Sequence, residues 1–157
     1  MSHIEKLRQF GFSLIGEFSG GDDLVLLKQE GRLSKYISDN LDAMGDAAKI
    51  ENVIYAYVVD GVVVYLGESE RTFRKRYNNH IRNLVDFAIN NKQAYLRWVE
   101  FFKTTDRYEI WQRVAPEVEV MGLRLSIRQD FETALIREFS MPPMNTRTKG
   151  IRLIVAE

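Results

Sequence analysis

Residues 53–80 read VIYAYVVDGVVVYLGESERTFRKRYNNH. Two runs of β-branched and aromatic residues, 53–59 and 62–66, flank Asp60-Gly61, which is the pattern of a β-hairpin closed by a tight turn. A basic, helix-like stretch follows Gly67 and ends on His80. Nowhere else does the chain pack aromatic hydroxyls, a glycine, arginines and a histidine into one supersecondary unit.

The turn type decides which residues share a face. A two-residue Asp-Gly turn pairs Val59 with Val62 and puts Tyr55 and Tyr65 on opposite faces. A three-residue loop, with Gly61 as the bulge residue, pairs Val58 with Val62 and sets Tyr55 directly across from Tyr65. The second register also gathers Ile54, Ala56, Val58, Val62, Val64 and Leu66 on one aliphatic face. Burial of one face sets register, so the bulged register is the expected one.

Outward from this unit, residues 3–10 suit a short helix, and residues 12–18 a strand. Ser19-Gly20-Gly21-Asp22 is a turn signal, and the apolar run 24–27 suggests a second strand and a small hairpin. Leu33, Ile37 and Leu41 fall at helical spacing, with Gly45 as the stop. Ser69 reads as the N-cap of a helix to about Asn90, with Phe73, Tyr77, Ile81, Leu84 and Ala88 as its apolar stripe. Residues 92–103 form another amphipathic helix, with Tyr95, Leu96, Val99 and Phe102 on its apolar side. Residues 107–114 form a third strand, which Pro116 breaks before a short extended piece, 117–121. Ser126 to Gln129 has capping-box form and opens a helix 127–139 that Pro142-Pro143 ends.

The fold class that follows is α+β within the α/β group: a central three-stranded antiparallel sheet flanked by helices, with an N-terminal accessory hairpin and helix. At 157 residues the chain reads as one domain, with residues 1–51 as an accessory layer and 52–146 as the core.

The 22 basic and 22 acidic residues balance, so bulk charge gives no reason to expect nucleic-acid binding. Their distribution does. Arg71, Arg74, Lys75, Arg76 and Arg82 fall in a stretch without an acid, and the tail from Arg147 to Arg152, with Lys149, is basic too. The absence of cysteine excludes disulfides, thiolate catalysis and Cys-ligated zinc, and two histidines argue against a multi-histidine metal centre. No apolar run is long enough to span a bilayer, and MSHIEKLRQF lacks the apolar region of a secretory signal, so no membrane association and a cytoplasmic location are expected.

Each functional candidate has a plain structural reading. Paired strand tyrosines pack as amphipathic residues, a charge run is a solvated face, a lone histidine is a hydrogen bonder, and Glu132 beside an apolar stripe is a solvated carboxylate. Their concentration favours chemistry on a phosphodiester. Gly67 would let the backbone approach a phosphate closely. A tyrosine hydroxyl can position or deprotonate water when cations lower its pKa. Arg76 can clamp a phosphate, and His80, one turn on, can contact it or assist proton transfer.

These residues resemble the GIY-YIG nuclease superfamily, in its small stand-alone bacterial and phage form, the phage endonuclease II type. The match is Val53-Ile54-Tyr55, then Tyr65-Leu66-Gly67, then Arg76 and His80, and downstream Glu132 with Leu135-Ile136, Phe139, Pro142-Pro143 and Asn145. It covers residues 52–146. Val53 and Leu66 depart from the motif residues but keep strand character. Glu68 departs more, and could repel a phosphate, pair with an arginine or join a metal shell.

The resemblance implies a metal-dependent DNA endonuclease using one Mg²⁺ (or Mn²⁺) ion. By position, Tyr55 would be the general base or its helper, Tyr65 would position water or substrate, Arg76 would bind the scissile phosphate and His80 would assist. Glu132 would hold the metal. Gly67, Arg71, Arg74, Lys75, Asn145 and Lys149 would serve DNA binding, Asn145 also bracing the site. Double-stranded DNA is the implied partner, and a homodimer is one route to cutting both strands. The rival is a catalytically inactive nucleic-acid-binding module on the same scaffold. Catalysis requires the helix carrying Glu132 to dock beside the tyrosine face.

Overall fold

The structure, a computed structural model, describes residues 1–145. The chain runs α1 (His3–Gln9), β1 (Ser13–Ser19), α2 (Leu24–Gln29), α3 (Leu33–Met44), a 3₁₀ turn (Gly45–Lys49), β2 (Val53–Val59), β3 (Val62–Ser69), α4 (Phe73–Ile89) and α5 (Gln93–Thr104). It continues through β4 (Arg107–Val114), β5 (Glu117–Val120), β6 (Leu123–Ser126) and α6 (Arg128–Glu138). The main sheet is antiparallel with strand order β1-β4-β2-β3, and β5 and β6 form a separate ribbon. Among the described residues no helix is long and apolar enough to cross a membrane.

The α+β class holds, but the central sheet has four strands rather than three. The expected N-terminal hairpin is replaced by a strand and a helix. Asp23 accepts a hydrogen bond from the Leu26 N–H at 3.3 Å and caps α2, and Leu24 and Leu27, three apart, bury one side of it. Residues 24–27 are therefore helical, and β1 finds its partner in β4. Gly45 ends α3 at φ 62°, where a left-handed residue is needed.

The hairpin register differs from expectation in an instructive way. Asp60 (φ 50°) and Gly61 (φ 76°) form a two-residue turn, and Val59 pairs with Val62. The bulge lies further along, where Val58 pairs with Val63 but Tyr57 with Tyr65, leaving Val64 as the extra residue. That extra residue restores Tyr65 to the face of Tyr55 and Tyr57. Tyr55 faces Gly67 rather than Tyr65. Ile54, Ala56, Val58, Val63 and Leu66 make the opposite, aliphatic face.

Helices cover both faces. On the tyrosine side, α2 to α5 pack Leu24, Ile37, Leu41, Phe73, Tyr77, Ile81, Leu84 and Phe102 against Tyr55, Tyr57 and Tyr108. A buried large apolar side chain contributes about 1.5–3 kcal/mol, so the stripe of α4 alone is enough to fix that helix. A polar seam adds orientation: the Asn40 amide donates to the Tyr77 hydroxyl at 2.9 Å, and Tyr108 bridges the hydroxyls of Tyr77 and Tyr36 at 3.2 and 3.3 Å. On the aliphatic side, α1 and α6 bury Leu7, Leu135, Ile136 and Phe139.

Two expected caps are also corrected. β3 continues to Ser69, and Thr72 caps α4 by accepting from the Lys75 N–H at 3.2 Å. Ser126 belongs to β6, its hydroxyl meets Asn52 Oδ1 at 3.2 Å, and α6 starts without a side-chain cap. The strand β6 was not anticipated by the sequence. Its pairing with β5 turns on Met121-Gly122, both at positive φ.

Candidate active site

Tyr55 is held in the middle of the sheet, 1% exposed. Its ring lies over Gly67, where an added Cβ would stand 2.4 Å from the ring carbon bearing the hydroxyl and from the hydroxyl itself. The glycine makes room for Tyr55. It has no positive φ, and the space above it is filled by a ring rather than left open to a phosphate. From the first turns of α4, Arg76 reaches back over the same strand pair, and its Nε donates to the Tyr55 hydroxyl at 3.0 Å.

Tyr65, Arg76, His80, Glu132 and Asn145 all line one cleft of about 340 Å³. Tyr55 lies behind this wall and touches it through Arg76. The ring centroids of Tyr55 and Tyr65 are 6.1 Å apart. His80 stacks on Tyr65 (6.3 Å, 12°) and meets Trp98 edge-on (4.9 Å, 85°). Its Nε2 is buried and has no hydrogen-bond partner among the described residues.

The electrostatics follow from burial beside one cation. Desolvation raises the pKa of the Tyr55 hydroxyl above the usual phenol value, and the neighbouring Arg76 guanidinium only partly offsets it. Tyr65 is raised for the same first reason, with Tyr55 adding to it. Both therefore stand as neutral phenols near pH 7. Desolvation, then Arg76, pulls His80 down to about 3, so its imidazole is neutral. The Glu132 charge raises both tyrosines further.

Glu132 arrives from the other layer. α6 packs on the aliphatic face through Leu135 and Ile136 instead of beside the tyrosines, yet Glu132, one turn earlier, reaches the cleft where the two layers meet along β3. It is buried, at 3% exposure. The start of α6 is tied down by Arg128, whose Nε donates to Glu68 and whose Nη1 donates to Asn52 Oδ1 at 2.8 Å. Of the three roles open to Glu68, the structure shows the pairing with an arginine. The Asn145 side-chain amide accepts from the Leu66 N–H and donates to the Leu66 carbonyl, each at 2.9 Å.

The expected DNA-contacting residues do not form one surface. Arg71 shares a shallow depression with Arg76, Arg128 and Gln129 beside the end of β3. Arg74 and Lys75 turn instead into a groove between α3 and α4. Lys149 lies outside the described residues. Arg128 and Trp98 were missed by the sequence reading. Arg128 precedes Glu132 by four positions and so shares its side of the helix, a signal that was available. Trp98 lies one turn before Phe102 on the same apolar side.

The sequence matches no protein-family model, and no curated protein is significantly similar to it. Solved structures do resemble it. A mutant of bacteriophage T4 EndoII aligns over 92% of this chain and 99% of its own, with 19% identity and a TM-score of 0.50, a likeness of fold. Restriction endonuclease HPY188I in complex with product DNA aligns over 88% of this chain and 79% of its own, with 14% identity and a TM-score of 0.48.

Proposed function

We propose that the chain is a divalent-metal-dependent DNA endonuclease that hydrolyses phosphodiester bonds at the cleft between β3, α4 and α6, with a GIY-YIG-type site. The observation that carries this is the convergence of Tyr65, Arg76, His80, Glu132 and Asn145, from four separate parts of the chain, on that one cleft. The shared fold with EndoII agrees with it.

The donor chemistry fits a hard ion such as Mg²⁺ or Mn²⁺. Among the described residues no group of three or more His, Asp or Glu side chains could hold a metal by itself. Glu132 offers one buried carboxylate in the cleft, and such ions complete their shell with waters and phosphate oxygens. When bound, the ion would supply Lewis-acid stabilisation and lower the pKa of its water.

The remaining roles belong to the chain itself. The Arg76 guanidinium binds the scissile phosphate and stabilises the charge that grows on it as the water oxygen bonds to phosphorus and the bond to the leaving sugar oxygen breaks. Tyr55 fixes the direction of Arg76. A buried phenol with a raised pKa is a poor base, so positioning is its main service. The Tyr65 hydroxyl in the cleft wall orients the attacking water, which gives up its proton to solvent as it bonds to phosphorus, and neutral His80, stacked on Tyr65, holds that ring in place.

The test is conversion of supercoiled plasmid to nicked or linear forms with Mg²⁺ or Mn²⁺ and with chelator, for wild type, Arg76→Ala and Glu132→Ala. Loss of cleavage by about 10²-fold or more in each variant and on chelation is expected. Inactive wild-type protein in either metal, or normal cleavage by Glu132→Ala, would sink the proposal. Salt-sensitive binding without any cleavage would favour the inactive nucleic-acid-binding module instead.

A further inference from the structure

We propose that the groove between α3 and α4 is a second phosphate-binding site, taking the DNA backbone a few nucleotides from the bond held at the cleft. The choice of DNA as occupant rests on the endonuclease reading, whereas the affinity for phosphates does not. The groove measures about 470 Å³ and is lined by Lys49, Arg74, Lys75 and Arg82, with hydroxyl and amide groups between them and, among the described residues, no carboxylate in its lining.

Three observations give the groove its character. First, its cations are largely without ion pairs among the described residues. Lys6, Lys28, Arg32, Lys35, Arg107, Arg124 and Arg128 each meet a carboxylate. Arg74, Lys75 and Arg82 meet none among the described residues, and Lys49 has only Asp46, at 3.4 Å and exposed. Arg97 and Arg113 also lack a carboxylate among the described residues, but each is tied to a backbone carbonyl, whereas the groove gathers four cations around one channel. Second, Arg82 is set in place by neutral partners: its Nη2 donates to Ser34 Oγ at 3.1 Å and its Nε to Asn78 Oδ1 at 2.9 Å. The guanidinium is thus oriented across both helices by neutral groups, as a phosphate clamp requires, and Asp86 in the adjoining depression pairs with Lys28. Third, the groove is adjacent to the cleft. Lys75 and Arg76 are neighbours on α4, one lining the groove and the other the cleft.

The helix between them is about 10–12 Å across with its side chains. Duplex DNA presents a phosphate about every 3.4 Å of axis along each strand. Because each strand also winds around the axis, its phosphates lie further apart than this rise, and two phosphates about two steps apart span the helix and can occupy cleft and groove together. This gives the N-terminal part of the chain, through α3 and Lys49, a share in substrate binding.

The experiment measures affinity for a 20-base-pair duplex by fluorescence anisotropy, in chelator and between 50 and 200 mM salt, for wild type, Arg74→Gln/Lys75→Gln and Lys49→Gln. Each lost phosphate contact lowers the slope of log affinity against log salt by about 0.9. The double variant should lose nearly two from that slope and bind about tenfold or more weakly at low salt, and Lys49→Gln should lose up to one. All three positions are exposed, so unchanged melting temperatures serve as the control for folding. A duplex with neutral methylphosphonates two to four nucleotides from the cut should weaken wild type but not the double variant. Wild-type affinity and slope in the double variant would overturn the groove, as would absence of any methylphosphonate effect. Displacement of the duplex by millimolar inorganic phosphate would overturn the assignment to a DNA backbone in favour of a free-phosphate site. Plasmid cleavage by variants that bind like wild type removes the groove alone. Variant-sensitive binding by a protein that never cleaves removes the endonuclease and leaves the groove standing.

Discussion

The Nε of Arg76 donates to the hydroxyl of Tyr55 across 3.0 Å, and that phenol is itself clamped against Gly67. Among the described residues Arg76 is the one cation in the cleft wall, and its direction thus depends on a side chain that does not line the cleft. Tyr55→Phe keeps the ring and removes the acceptor. It should cost about 1–2 kcal/mol of stability, typical of a donor losing its buried partner, and lower cleavage at least about tenfold. Plasmid cleavage beside urea unfolding checks both numbers, and full activity in Tyr55→Phe would show that Arg76 keeps its pose without the phenol.

Gly67→Ala tests the same stack from beneath. A Cβ 2.4 Å from the Tyr55 ring and hydroxyl cannot be accommodated unless the ring moves. Overpacking of this kind costs about 1–3 kcal/mol. Denaturant unfolding should show that loss, and cleavage should fall in step because Arg76 moves with its partner. A variant as stable as wild type would mean that the strand pair yields easily at this point.

Acid should weaken the fold through His80. Its pKa falls from 6.5 to about 3 on folding, so the unfolded chain binds the proton more readily. The neutral imidazole costs nothing above about pH 6.5. Below it, stability declines as pH falls, until the folded pKa is reached. The slope approaches about 1.4 kcal/mol per pH unit inside that window. Urea unfolding at pH 4 to 8 should be steeper in pH for wild type than for His80→Phe, and parallel curves would contradict the burial of this ring.

Arg128→Ala should unsettle Glu132 by loosening the start of α6. The Arg128–Glu68 pair is only 15% and 11% exposed and ties the start of α6 to β3. Breaking a fully buried pair costs roughly 3–5 kcal/mol, and for this slightly wetter one about 2–3 kcal/mol is expected. Thermal unfolding measures that cost. Cleavage should fall further than stability at a working temperature below the melting point, and Arg128→Lys should restore part of it. Equal activity in Arg128→Ala would separate α6 docking from catalysis.

The hairpin, the helix α4 and its buried stripe were legible because period-two and period-3.6 patterns are written locally. Tyr65, Arg76, His80, Glu132 and Asn145, which share the candidate cleft, could each be singled out in the sequence. Their geometry was less legible, and the reasons are specific. A bulge at Val64 leaves no mark in an unbroken apolar run, so the pairing of Tyr65 went astray although its face did not. Asp23 before Leu24 could have announced α2, but four apolar residues in a row read equally well as a strand. That β1 joins β4 depends on contacts far apart in sequence. So does the approach of Glu132 from the opposite layer, which no helical wheel of residues 127–139 contains.

The outer side of β3 has a meaning beyond the cleft. It is the last strand of the sheet, where unpaired N–H and C=O groups invite another chain to add on. Here the Val63 N–H is taken by His3 Nδ1 at 2.9 Å, the Val64 carbonyl by the Met144 N–H at 2.8 Å, and both groups of Leu66 by Asn145. Contributions from near both ends of the described chain thus act as a hem along that border. The same stitches that hold Tyr65 and Leu66 in the cleft wall keep the strand from templating aggregation, so losing Asn145 should show itself in solubility as well as in catalysis.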